Sequence, residues 1–124
     1  MPQTFTAMTL SAATNGAPIK ITATATPGTT IHTATTSDMP EGCDEVWLWV
    51  GSTSAAVINA TLHISSGALD AQSINFNVPA AYNGPISVLQ GHRVCDGVVV
   101  TATASVAERI NVWGNVNRIS GQGT

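Results

Sequence analysis

The sequence predicts an all-β fold: an antiparallel β-sandwich, jelly-roll or immunoglobulin-like, with about eight strands. Three observations predict it. Apolar and polar residues alternate with period two through most of the chain, the pattern of strands with one face buried and one face wet. Gly, Pro and Asn-Gly breaks punctuate these stretches at roughly 8–12-residue spacing, the rhythm of sandwiches and barrels. No stretch carries an apolar stripe at helical spacing over a dozen residues.

The first predicted strand is residues 19–26, where Ile19, Ile21, Ala23 and Ala25 alternate with Lys20, Thr22, Thr24 and Thr26 before Pro27-Gly28 breaks the run. Residues 29–34 resume as a second strand. The loop at residues 37–42, with Asp44 added, holds Asp38, Glu41 and Asp44, three of the seven acids, and reads as a solvated turn. Residues 45–50 differ in kind, being apolar on both faces. Val46, Leu48 and Val50 form one face and Trp47 and Trp49 the other, so this strand is expected to be covered by its own fold on one side and by something else on the other. Residues 57–64 return to alternation, with Ile58, Ala60, Leu62 and Ile64 inward, and stop at Ser66-Gly67. Residues 73–78 alternate again until Pro79. A turn at Asn83-Gly84-Pro85 leads to a short strand at 86–89, and Asp96-Gly97 leads into a strand at 98–105. In the last strand, residues 110–117, Ile110, Val112, Gly114 and Val116 face one way and Asn111, Trp113, Asn115 and Asn117 the other. One domain over residues 1–124 is expected, with short flexible tails at both ends. Many interior candidates are only Ala and bury little area, so contacts with other chains are expected to supply part of the stability.

Charge is scarce. Charged residues make up 9% of the chain, against roughly 25% in an average soluble domain. The four basic residues, Lys20, Arg93, Arg109 and Arg118, are scattered and the net charge is −3. Nucleic acid needs a cluster of cations to displace counterions, and an anionic membrane surface needs the same, so neither partner is expected. The N-terminus lacks a basic n-region and an apolar h-region, and no run approaches the ~20 apolar residues of a membrane helix. Synthesis in a cytoplasm is therefore expected, where Cys43 and Cys95 would be buried thiols. A Cys43–Cys95 disulfide is the alternative for a protein that ends up outside a cell.

Catalytic constellations do not emerge. His32, His63 and His92 lack the spacing that puts two zinc ligands on one face of an element, so no metal and no cofactor is expected. No GxSxG elbow holds a nucleophile, and Cys95 near His92 reads as a buried thiol. The acids crowd one loop, which does not pose two carboxylates across a sugar. Lys20, between Ile19 and Ile21, reads as outward, which argues against a buried isopeptide cross-link. No enzyme is expected. The most informative set is Trp47, Trp49 and Trp113, with three readings: core, a platform for sugar rings, or a subunit contact. Core on one face of the strand and interface on the other fits best. Asn111, Asn115 and Asn117 would then supply uncharged hydrogen bonds beside Trp113, and Arg118 would pair with an acid on a neighbouring chain.

Several segments resemble small β-rich virion structural proteins of tailed bacteriophages. They are the ending Ile110-Asn111-Val112-Trp113-Gly114-Asn115-Val116-Asn117-Arg118-Ile119, the Met1-Pro2 and Thr4-Phe5-Thr6 opening, the stretch from Ile19 to Ala34, and Asp44-Glu45-Val46-Trp47-Leu48-Trp49. The resemblance covers most of the chain and its motifs are structural. It implies a non-enzymatic particle component, closest to capsid decoration (cement) proteins. Those are made in the host cytoplasm and added to the capsid exterior, often as trimers. The partner would be the major capsid protein or another virion protein, with a homo-oligomer, a trimer favoured, bridging capsomers. Two alternatives stand: a tail, head–tail connector or fibre-associated virion protein, and a carbohydrate-binding module using the tryptophans.

Overall fold

In a computed structural model of the protein, residues 4–25, 27–35, 42–65 and 73–120 are described. Among the described residues the strands are β1 (Thr4–Thr9), β2 (Ile19–Lys20), β3 (Thr29–Thr33), β4 (Cys43–Ser52), β5 (Ile58–Ser65), β6 (Ser73–Val78), β7 (Ile86–Cys95), β8 (Val99–Ala104) and β9 (Ile110–Ser120), with a 3-10 turn at Ala81–Asn83. One sheet runs β1-β9-β4-β7, with β2 also on β9, and the other runs β3-β8-β5-β6. Every pairing is antiparallel.

The connectivity decides between the two expected topologies. With β1 and β2 counted as one interrupted strand, the pairs nest: β1/β2 with β9, β3 with β8, β4 with β7, β5 with β6. A ribbon of nested antiparallel pairs rolled into two sheets is a jelly roll. The all-β sandwich follows the alternation read from the sequence. Val46, Leu48 and Val50 of β4 meet Ile58, Ala60 and Leu62 of β5, Val100, Ala102 and Ala104 of β8, and Ile110, Val112 and Val116 of β9 in one buried cluster.

The structure corrects four expectations. The N-terminal segment is not a loose tail, because Thr4–Thr9 forms β1 on the edge of β9. The strand expected at 19–26 shortens to Ile19–Lys20. There the Thr29 hydroxyl accepts the N–H groups of both Thr22 and Ala23 at 3.1 Å, a side-chain bond that competes with the ladder. The chain crosses between sheets here: the Ile21 N–H bonds to Ile110 of β9, whereas the Ala23 carbonyl accepts from Ala104 of β8. Third, the short strand at 86–89 extends to Cys95. Its register on β4 slips twice, skipping Val88 and Gly91, and Gly91 takes a φ of 78° that favours glycine.

That register sets Cys43 opposite Cys95, and the two form a disulfide rather than the expected thiols. Ser120 closes β9, and the rest of the C-terminal tail lies outside the described residues.

Candidate functional site

The outer face of the five-stranded sheet gathers all three tryptophans. Trp49 of β4 lies directly opposite Trp113 of β9, and Trp47 lies opposite Asn115 on one side and Gln90 of β7 on the other. All three indoles are half-buried, while Val46, Leu48 and Val50 between them face the core. Two glycines make room for the rings. A Cβ on Gly51 would sit 3.1 Å from Cη2 of Trp113, and one on Gly91 would sit 3.1 Å from Cζ2 of Trp47. The Trp113 and Trp47 indoles therefore pack on the bare backbone of the next strand. Gly114, at the middle of β9, lets the β4 and β9 backbones approach so closely that a Cβ there would collide with the Trp47 carbonyl.

The asparagines border these rings. Asn115 is exposed, Asn117 donates to Glu45 Oε1 at 3.4 Å, and Asn111 lines a depression of about 220 Å³ with Trp113, Ser52 and Pro85. Tyr82, on the adjoining 3-10 turn, is 82% exposed. At one end of this face Glu45 pairs with Arg93 at 3.1 Å. Arg93 is largely exposed, so this pair contributes little to stability.

Arg118 does something other than expected. Its guanidinium grips Asp44 of its own chain, with Nε donating to Oδ1 at 2.8 Å and a terminal nitrogen to Oδ2 at 3.0 Å. Asp44, expected in a solvated turn, has no exposed surface; Asp38 and Glu41 of that turn lie outside the described residues. A bulge in β3 at Ile31 turns both Ile31 and His32 inward, against simple alternation. His32 Nε2 then meets Asp44 Oδ2 at 2.7 Å, and the Thr35 N–H donates to the same oxygen at 3.2 Å. The Ser11 N–H donates to His32 Nδ1 at 3.0 Å, which leaves the ring proton on Nε2, donated to Asp44. Both ring nitrogens are engaged, so His32 has none to offer a substrate. Burial by itself would raise the Asp44 carboxyl, but the hydrogen bonds from Arg118 and His32 and the positive charge of Arg118 outweigh it and hold the group below the usual carboxylate range. The bond to Asp44 in turn raises Arg118. This network pins β3 of one sheet to β4 and β9 of the other.

The four-stranded sheet carries a feature that the sequence reading did not assemble. None of its strands, β3, β5, β6 and β8, contains a charged residue. Its outer face bears a ladder of uncharged cross-strand pairs. Asn59 donates to Asn77 Oδ1 at 3.2 Å, Thr61 donates to Asn75 Oδ1, and His63 Nδ1 meets Ser73 Oγ at 2.8 Å. The signal was present as Asn59, Thr61 and His63 alternating in one strand and Ser73, Asn75 and Asn77 in the next. Only the β5–β6 register reveals that they pair. His63 is also opposite Thr101 of β8, and His63 Nε2 and Thr101 Oγ1 are buried there without partners.

The three histidines are dispersed: His32 is in the core, His63 on this outer face, and His92 exposed on β7. Among the described residues no group of three His, Cys, Asp or Glu side chains is placed to hold a metal ion. Comparisons with protein-family models, curated proteins and solved structures give no match to this chain.

Proposed function

We propose that this chain is a non-enzymatic virion structural protein, a capsid decoration protein that bridges capsomers on the head of a tailed bacteriophage. The observation that carries the reading is the outer face of the five-stranded sheet, where Trp47, Trp49 and Trp113 lie half-buried among Asn111, Asn115 and Asn117. Half-covered tryptophans ringed by uncharged hydrogen-bonding groups are the make-up of a protein contact. Such groups bury against a partner without the cost of desolvating full charges. Repeated by the symmetry of a shell, individually weak contacts add up through avidity. The disulfide fits a particle component that functions outside a reducing cytosol.

Arg118 leaves the proposed contact set, because Asp44 of its own chain already holds it. The test is co-purification with filled heads and a count of copies per particle. Hundreds of copies are expected for a decoration protein, whereas a ring of about six or twelve would move the assignment to a connector or tail. Trp113→Ala is expected to abolish particle binding while the isolated chain keeps its fold; unchanged binding would remove the tryptophan face from the contact.

A carbohydrate-binding reading has one observation in its favour, the depression beside Trp113 and Asn111 next to exposed Tyr82. Quenching of tryptophan fluorescence by polysaccharides would support it, and silence across a panel of them would eliminate it.

A further inference from the structure

The edges of the two sheets are not alike. A sheet edge presents unpaired N–H and C=O groups, and proteins that stay monomeric blunt such edges with bulges, charges, prolines or interruptions. The β7 edge has two bulges, at Val88 and Gly91, and carries Arg93. The β3 edge has a bulge at Ile31. The β1/β2 edge is interrupted by the turns between Thr9 and Ile19, resumes after Pro18 and carries Lys20.

By contrast, β6 is unbroken. It runs Ser73–Val78 without charge, proline, glycine or register shift, and among the described strands it pairs only with β5. In an antiparallel pair alternate residues turn their backbone groups away from the partner, so β6 offers a regular row of donors and acceptors. Ile74 on this edge is 47% exposed and Phe76 is half-buried, so the apolar row of β6 is only partly covered.

We infer that β6 is a self-association edge, on which β6 of a second copy pairs antiparallel to join two four-stranded sheets into one. The sequence of β6 favours its own copy over the other smooth strand, β1. In a two-fold arrangement centred on Phe76, Ile74 opposes the partner's Val78, Phe76 opposes the partner's Phe76, and Asn75 opposes the partner's Asn77. Apolar meets apolar on one face and amide meets amide on the other, as register and alternation require.

The amides are already poised for this. Asn75 Oδ1 accepts from Thr61 and Asn77 Oδ1 accepts from Asn59, which leaves both Nδ2 groups to donate across the two-fold axis. The uncharged ladder of β5 and β6 would then run on through the second copy. A β1 edge would set Phe5 and Ala7, which share a face with Ile119 and Asn117, against Asn75 and Asn77. A β1–β1 pair centred on Ala7 would set Thr6 against Met8. Neither matches like with like. A two-fold contact closes as a dimer, in place of the trimer that the family resemblance implied.

The test is sedimentation of the purified full-length chain across a concentration series, with hydrogen exchange read at β6. The wild type is expected to be a dimer whose β6 amides gain protection as dimer forms. Ile74→Lys puts a charge on a half-exposed edge position and is expected to weaken the dimer by at least about 100-fold, with an unchanged far-ultraviolet spectrum and, at concentrations where the wild type is monomeric, an unchanged melting temperature. Ser87→Lys on the bulged β7 edge is expected to leave the dimer intact. A wild-type monomer or trimer, or a dimer unaffected by Ile74→Lys, would overturn the inference. The inference does not depend on the virion reading: a dimer lost in Ile74→Lys upholds it even if the chain never binds a capsid.

Discussion

Asp44 has no exposed surface, yet its carboxyl is held below the usual range, because Arg118 and His32 both donate to it. The consequence for stability has a definite sign. A group whose folded-state pKa lies below its unfolded value of about 3.9 binds protons more readily when unfolded. Its contribution is therefore complete above the unfolded value and is lost as pH falls through the lower folded one. The urea midpoint is expected to drop as pH falls below about 4, the unfolded carboxyl's value, and this component of the drop should vanish in Asp44→Asn. At neutral pH, Arg118→Ala strands a buried carboxylate and is expected to cost about 3–5 kcal/mol, measured by urea unfolding. A cost near zero would show that water, and not Arg118, satisfies Asp44. Little of this residue-level chemistry was legible in the sequence. Asp44 and Arg118 are 74 positions apart and meet only through the β4–β9 register, and His32 turns inward only because Ile31 is an extra residue in β3.

At the scale of elements, patterns that are local were readable and pairings were not. The doubly apolar β4 was evident because its alternation is unbroken from Val46 to Val50, and the structure places one row in the core and the other on the outer face. The first strand escaped notice because its outer row, Phe5 and Ala7, is apolar while its inner row mixes Thr6 with Met8, so the period-two signal cancels. The disulfide was hidden for a similar reason. Cys43 and Cys95 face each other only after the two register slips in β7. Their separation of 52 residues makes the bond a constraint on the unfolded chain worth about 4 kcal/mol in loop entropy. Reduction is therefore expected to lower the melting temperature by roughly 10 °C, given the few degrees per kcal/mol usual at this size. The Cys43→Ala/Cys95→Ala variant should melt at the lower temperature with or without reductant. A wild type indifferent to reductant would mean that the closed edge between β4 and β7 holds by its hydrogen bonds alone.

Over the whole molecule, the scarcity of charge resolves into a distribution. Among the described residues Asp44 and Arg118 cancel in the interior and Glu45 and Arg93 pair on the surface. The remaining charges of the described residues sit on β2, as Lys20, and at the turns carrying Asp96, Glu108 and Arg109. That leaves one whole sheet of a jelly roll uncharged. Screening by salt acts on exposed charges within about a Debye length, ~10 Å at 0.1 M, and none of the described charged residues lies on β6 or on the Asn–Thr ladder. The backbone hydrogen bonds and apolar row of a contact built there do not weaken as ions are added; apolar burial, if anything, strengthens in salts excluded from the surface. The β6 dimer is therefore expected to change in Kd by less than about threefold between about 0.05 and 0.5 M sodium chloride. An association steered by Lys20, Arg109 or the acids would lose an order of magnitude or more over that range. Sedimentation at a series of salt concentrations separates the two. Steep weakening would place the contact on the charged turns instead of the neutral sheet, even if the copy number of the assembly stayed the same.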